Sequence, residues 1–363
     1  MQRDLYIDFA KGIATLSVIF IHTVFWSGQY YVPTEVRIFS LLVDVPLFFA
    51  LSGLTSGGKV EKTLNRLLRL QITFMLFVTL LFFLDYIIKV LGISIYGQEN
   101  LLELYHTFGS KYVPKNLTLE PAWQNLGNWY VHSYTNADSF PVVMGSFWYL
   151  KVYFILTVFG VLILRFFPKH IDYFILLCIL LTLLFYFYPN YYPTGQVGYV
   201  TTYLAIFLLA ARLKGKKLSN RAILLCSIIG LGLFVWLFST YGAEIFFKIN
   251  KQKFPPKVPY IIWILPSILL LFALYGRLKI NKQNLFTYIG QNAIFYYFAQ
   301  GISSTIIYFI VTPLKDSIHW VALLLIAFVI NVILAIIIAE ALKKFDSWGW
   351  KALYYLKAKA ARN

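Results

Sequence analysis

Apolar residues follow one another along this chain in long runs, and most polar residues lie in the stretches between the runs. Each run is about 18–25 residues long, which is the length of an α-helix that crosses a bilayer core of ~30 Å. The runs predict helices at about 6–26, 36–55, 70–94, 146–166, 171–189, 197–213, 221–241, 259–276, 286–311 and 318–341. The expected fold is all-α and polytopic, with about ten transmembrane helices.

The composition agrees with a membrane protein and excludes several other classes. Hydrophobic residues make up 60% of the chain and charged residues 13%, against roughly 45–50% (counting glycine) and about 25% in soluble domains. The same values exclude a disordered chain, a collagen and a small disulfide scaffold. Cys178 and Cys226 lie inside apolar runs, so neither suggests a disulfide or a metal site. Asp8 and Lys11 interrupt the profile of a cleavable signal peptide.

The distribution of basic residues predicts the orientation in the membrane. An even number of spans places both termini on one side, and 22 of the 32 Lys and Arg residues fall on that side. Because Lys and Arg concentrate in cytoplasmic segments, both termini are expected to be cytoplasmic. The net charge of +17 is then mainly a topology signal, and no nucleic-acid partner is expected.

Two connections on the outer side are too long to be simple turns. They cover about 95–145 and 242–258, and their aromatic content argues against disorder. We expect them to form a cap over the outer face of the bundle. The predicted organisation is one transmembrane domain, 1–345, followed by a basic cytoplasmic tail, 346–363.

A polar stripe runs along the first predicted helix. At 100° per residue, Asp8, Lys11, Thr15 and His22 fall close to one face, and Lys11 and His22 stand about 16 Å apart along the axis. Lys11 and Asp8 have two interpretations. They either belong to a functional site, or Lys11 extends to the headgroups near the helix end with Asp8 at i−3 as its partner. His22 favours a functional role, because an imidazole inside a membrane needs a polar partner or a water-lined cavity. It can also accept and return a proton near neutral pH.

Other polar residues suggest a cavity near this stripe. The second predicted helix carries Asp44, a proline that frees a backbone carbonyl, and the small pair Ser52-Gly53 that permits close helix approach. Arg66 and Arg69, at i and i+3, suit a phosphate group, although anchors facing anionic lipid explain the same spacing. Trp148 and Tyr149 either line a channel or belong to an interfacial aromatic belt.

Five segments taken together resemble the bacterial integral-membrane acyltransferase-3 family, and within it the branch of fucose 4-O-acetylase-like enzymes. They are Asp8-Phe9-Ala10-Lys11-Gly12 with His22 eleven positions after Lys11, Phe48-Phe49-Ala50-Leu51-Ser52-Gly53, Arg66 with Arg69, Phe147-Trp148-Tyr149-Leu150, and Gly290-Gln291-Asn292-Ala293-Ile294-Phe295-Tyr296-Tyr297. Ala293 stands where the family usually has Ser, and Gln300 stands where many members have a second His. The second departure argues against a mechanism with two histidines.

The resemblance implies transfer of an acetyl group from acetyl-CoA, entering from the cytoplasm, to a hydroxyl of an extracytoplasmic or lipid-linked glycan. Capsules and exopolysaccharides of the bacterial cell envelope are acceptors of this kind. The protein would be a multi-pass enzyme of the plasma membrane, in contact with membrane lipids and without a metal. A transporter or flippase for a polysaccharide or its lipid-linked precursor is the alternative, since intramembrane charges and a broken helix serve both functions.

The resemblance and the stripe together assign roles to thirteen residues. His22 is the expected general base or acyl carrier, supported by Asp8 and Lys11. The predicted cofactor-binding residues are Lys11, Arg66, Arg69, Ser52, Trp148 and Tyr149. The predicted substrate-binding residues are Asp44, Trp123, Trp129, Tyr134 and Asn292. The three aromatic residues of the outer segment would stack on sugar rings, or would form an interface belt.

Overall fold

The fold was obtained as a computed structural model, which describes residues 4–106, 126–127, 130, 143, 146, 148–191 and 196–360. Within these residues the chain is all-α. The helices are α1 Leu5–Phe25, α2 Thr34–Ser40, α3 Pro46–Thr55, α4 Val60–Tyr96, α5 Gln98–His106, α6 Trp148–Phe166, α7 Ile171–Phe187, α8 Val197–Leu213, α9 Asn220–Tyr241, α10 Glu244–Phe247, α11 Val258–Leu274, α12 Leu285–Gln291, α13 Ala293–Val311 and α14 Trp320–Ala360. Trp123, Trp129 and Tyr134, with most of the predicted outer segment 95–145, lie outside the described residues.

Six helical segments are long and apolar enough to cross a membrane: Leu5–Tyr30, Val60–Tyr96, Trp148–Phe166, Asn220–Tyr241, Ala293–Leu314 and Trp320–Tyr355. Four shorter apolar helices, α3, α7, α8 and α11, coincide with the other four predicted spans. In α9 only Leu237 is buried, while many of the large apolar side chains are exposed. Such a surface is typical of a helix that faces lipid. The prediction of a multi-pass membrane protein is confirmed, and the count of ten spans and the orientation stay predictions.

Two predicted spans are wrong as single helices, because each is interrupted. The span 36–55 divides into α2 and α3, since Pro46 occupies the first turn of α3 and its ring excludes a continuous helix through Leu42. The span 286–311 divides at Asn292, between α12 and α13. The Asn292 side chain donates to the Tyr288 carbonyl oxygen at 2.9 Å, a local bond that competes with regular helix geometry.

Two other helices extend well beyond the predicted spans. Helix α4 begins at Val60, so Arg66 and Arg69 lie on its first turns. Helix α14 continues to Ala360 without interruption, so the predicted boundary between domain and tail at 345/346 falls inside one helix. The apolar pattern misses these extensions because it measures the length that a bilayer covers, whereas charged residues such as Lys and Glu continue a helix readily in water.

Helix α1 packs against α12 with almost no space between the backbones. A Cβ atom added to Gly290 would lie 1.8 Å from the Asp8 carbonyl oxygen, and one added to Gly12 would lie 1.9 Å from the Phe286 carbonyl oxygen. Small residues permit such close contact between membrane helices. These glycines therefore fix α12 beside the polar stripe of α1.

Substitution of Gly290 by alanine is expected to destabilise the protein by at least about 1–3 kcal/mol, because the helices must separate to admit the methyl group. The measurement is the free energy of unfolding in detergent. Gly232→Ala is the matched control, since nothing lies within 4 Å of the added Cβ and alanine is the better helix former. Equal stability of the two variants would contradict the close packing.

Candidate functional site

A cavity of about 470 Å³ lies between α1, α3, α4, α6, α12, α13 and α14. It follows α1 from Lys11 to Val18 and α13 from Ala293 to Gln300. Its apolar wall includes Val18, Val45, Phe48, Leu70, Leu150, Ile294 and Phe295. A mostly apolar cavity of this volume with a few polar groups at its ends is typical of a small-molecule site.

One end of the cavity is basic. Lys11, half-buried on α1, and Arg66 and Arg69, exposed on α4, all line it. Arg66 and Arg69 reach the same end because residues three apart on a helix share a face. Asp346 of α14 also lines this end, and its Oδ1 accepts a hydrogen bond from Thr73 Oγ1 at 2.8 Å. Three cations gathered around one opening favour a polyanionic ligand.

The other end of the cavity leads to His22. Gln300, which lines the cavity, donates from Nε2 to Ser146 Oγ at 3.2 Å. Ser146 Oγ lies in turn 3.4 Å from His22 Nδ1, and Tyr297 donates its hydroxyl to the Ser146 carbonyl oxygen. His22 follows Val18 by one helical turn. The imidazole therefore lies just beyond the polar groups that close this end.

A buried ion pair lies beside the histidine. Lys253 Nζ is 2.7 Å from Asp44 Oδ2, and Tyr260 donates its hydroxyl to the same oxygen at 2.7 Å. Both side chains of the pair are under a tenth exposed, and both interact electrostatically with His22. Lys253 belongs to the outer segment 242–258, so the pair ties that segment to the break between α2 and α3.

The structure brings five of the predicted site residues to the cavity wall. They are Lys11, Ser52, Arg66, Arg69 and Tyr149. Asp44 and His22 lie next to the polar end. Trp148 contacts the segment that carries Lys253, whose Nζ lies 5.8 Å from the indole centroid. The roles predicted for all of these residues stay predictions.

Two predicted site residues lie where helices meet or break, outside the cavity wall. Asp8 is 3% exposed, and its carbonyl oxygen faces Gly290 of α12. Asn292 forms the break between α12 and α13, while its neighbours Gln291 and Ala293 line the cavity. The roles predicted for Asp8 and Asn292 stay predictions.

Sequence reasoning missed several residues of this site, chiefly Ser146, Lys253, Tyr297 and Asp346. Lys253 is one of the ten Lys and Arg residues outside the predicted cytoplasmic set, and nothing near it in the sequence indicates a buried partner. The available signal was Asp44, because a buried carboxylate in a membrane span requires a counter-charge. Asp346 was assigned to a tail because the apolar run ends before it.

These features define a class: a multi-pass membrane protein with an internal cavity that runs from a cluster of cations to polar groups beside a histidine. Residues 4–340 match the acyltransferase-3 family, described as an acyltransferase domain. The chain belongs to this family and is an acyl-transferring membrane enzyme that uses an acyl donor. Comparison with curated proteins and with solved structures found no significant match.

Proposed function

We propose that this protein is an O-acetyltransferase that moves an acetyl group from acetyl-CoA to a hydroxyl of an extracytoplasmic or lipid-linked glycan, in the manner of the fucose 4-O-acetylase-like branch. The observation that carries the proposal is the cavity that joins Lys11, Arg66 and Arg69 to the neighbourhood of His22. It provides one continuous site for a donor with a charged head and a reactive end. The protein would work in the bacterial plasma membrane, surrounded by lipid.

The basic end of the cavity suits the phosphates of CoA. Guanidinium groups bind phosphate oxygens through paired hydrogen bonds, and Lys11 adds a third charge on the facing helix. In the proposed orientation this end opens to the cytoplasm, where CoA thioesters are found. The apolar wall between the two ends would then accommodate the pantetheine arm, which is uncharged.

The polar end suits acyl transfer. As a general base, His22 would take the proton from the acceptor hydroxyl while the oxygen bonds to the acyl carbon. The carbon–sulfur bond then breaks, and the departing CoA thiolate takes up that proton. Alternatively the imidazole accepts the acyl group first and passes it on, with the same overall balance. Ser146 and Gln300 would orient the imidazole in either case.

The acceptor would approach from the outer face. Trp148 lies beside Tyr199 and Phe254, with ring centroids 5.3 and 5.2 Å away, and aromatic faces of this kind suit the apolar C–H patches of sugars. The proposed contributions of Trp123, Trp129 and Tyr134 rest on the sequence alone. Asp44, held by Lys253, would fix the position of the outer segment near the reacting hydroxyl.

The decisive experiment measures O-acetyl groups. Cells with and without the protein are compared by NMR of their purified envelope glycans, and proteoliposomes are given acetyl-CoA labelled in the acetyl group together with those glycans. We expect O-acetyl signals only in cells with the protein, and transfer of label to the glycan in vesicles. Movement of glycan across the vesicle membrane without gain of label would overturn the proposal in favour of a transporter or flippase.

A further inference from the structure

We propose that residues 340–350 of α14 are part of the donor site, and that Trp350 positions Arg69 for the anionic donor. We call residues 340–350 the clamp segment. Apart from its first residue, the clamp segment lies beyond the region that matches the family, which ends at residue 340. The inference rests on the proposed function for the identity of the anion.

The clamp segment contacts α4 in two successive turns. The guanidinium carbon of Arg69 lies over the Trp350 ring, 5.6 Å from its centroid. One turn along both helices, Thr73 Oγ1 donates to Asp346 Oδ1 at 2.8 Å. Helices α4 and α14 run antiparallel here, because the contact four residues later on α4 lies four residues earlier on α14. The indole therefore restricts where the Arg69 guanidinium can lie.

The clamp segment also contacts α12, which lines the same cavity as α4. Tyr288 donates its hydroxyl to Glu340 Oε1 at 2.7 Å. Lys343 Nζ lies 2.6 Å from the Tyr288 hydroxyl oxygen and 3.0 Å from Glu340 Oε2. Helix α12 in turn packs against α1 through Gly290, close to Lys11. One segment thus sets the separation between Arg69 on α4 and Lys11 on α1.

The contacts with Arg69 have the character of a prepared binding site. A cation held over an aromatic face is attracted by the ring and does not need a carboxylate partner to stay in place. Asp346 lines the same end of the cavity and is 8% exposed. Its carboxylate accepts from Thr73 and leaves Arg69 to the aromatic ring. Arg69 therefore lies over an aromatic ring while the Asp346 carboxylate bonds to Thr73, an arrangement that suits recognition of an anion by the guanidinium.

The test is binding of CoA to the purified full-length protein by isothermal titration calorimetry in nanodiscs. We expect Trp350→Ala and Trp350→Leu to weaken CoA binding about tenfold, and Trp350→Phe to retain most of the affinity. Trp348→Ala is the matched control, because Trp348 lies on the same helix but is 65% exposed. In the transfer reaction the Trp350→Leu variant should raise KM for acetyl-CoA with kcat unchanged, since only donor binding is altered.

The outcomes distinguish an error in the role proposed for Trp350 from an error in the identity of the donor. If the wild-type protein and the Trp350→Leu variant bind CoA equally well, the proposed role of Trp350 is wrong and the proposed function stands. Equal weakening by Trp350→Phe and Trp350→Leu would also overturn that role, because loss of packing and not of the aromatic face would then be the cause. Wild-type protein that binds no CoA would overturn the proposed donor and the clamp with it.

Discussion

Replacement of His22 by alanine is expected to lower the rate of acetyl transfer about 10²–10⁴-fold, the usual contribution of a positioned acid–base group. The expectation follows from its place beyond the polar end of the cavity, where the imidazole contacts Ser146 and Gln300 donates to the same serine hydroxyl. The rate is measured with labelled acetyl-CoA and purified glycan in proteoliposomes. The folded state is followed separately by size-exclusion chromatography and thermal unfolding.

His170→Ala is the matched control for this variant, because His170 is exposed at the start of α7 and lies outside the cavity wall. It should transfer acetyl groups at the wild-type rate. A well-folded His22→Ala protein with full activity would remove His22 from the mechanism. Incubation with labelled acetyl-CoA and no acceptor separates the two chemical routes, since label retained by wild-type protein and absent from the variant indicates an acyl-imidazole.

The second large effect is expected on stability. Asp44→Ala should lower the free energy of unfolding by about 3–5 kcal/mol, because it leaves the buried Lys253 ammonium without a counter-charge. The Tyr260 hydroxyl loses its acceptor in the same variant. The combined variant Asp44→Ala with Lys253→Met should recover most of the loss, since replacing both members of a buried pair by apolar groups removes the uncompensated charge. Denaturation in detergent measures both.

Glu244→Ala is the control for Asp44→Ala. Glu244 forms an ion pair with Lys248 at 3.0 Å in the same outer segment, but the two side chains are 82% and 57% exposed. Exposed pairs contribute little, so this variant should change stability by less than about 1 kcal/mol. A wild-type melting temperature for Asp44→Ala would show that Lys253 does not depend on Asp44, and the outer segment would then need another anchor.

Much of the fold could be predicted because the signal is local. A bilayer imposes a length on each apolar run, and every predicted span falls on a helix or a pair of helices. The interruptions at Pro46 and Asn292 were harder to predict. A proline at the first turn and a proline inside a helix look the same in sequence, as α11 shows by continuing through Pro266.

The candidate site was predictable where its residues share one helix. Lys11 and Thr15 lie on one stripe of α1, and Arg66 and Arg69 on one face of α4, because helical periodicity depends on the sequence alone. His22 was identified by the cost of an imidazole in lipid. The partners of these residues lie elsewhere in the chain, and no local spacing connects Ser146 or Gln300 with His22.

The sequence by itself therefore determined that this is a multi-pass membrane protein and which faces of its helices are polar, and it supplied the residues that we propose for the chemistry. Only the tertiary structure decided that Lys253 pairs with Asp44, that Arg69 lies over Trp350, and that Lys11 and the arginines line one end of a cavity. The physical reason is the range of the forces concerned. Hydrophobic length and helical period act along a few turns of chain, whereas these contacts depend on how closely helices distant in sequence can approach.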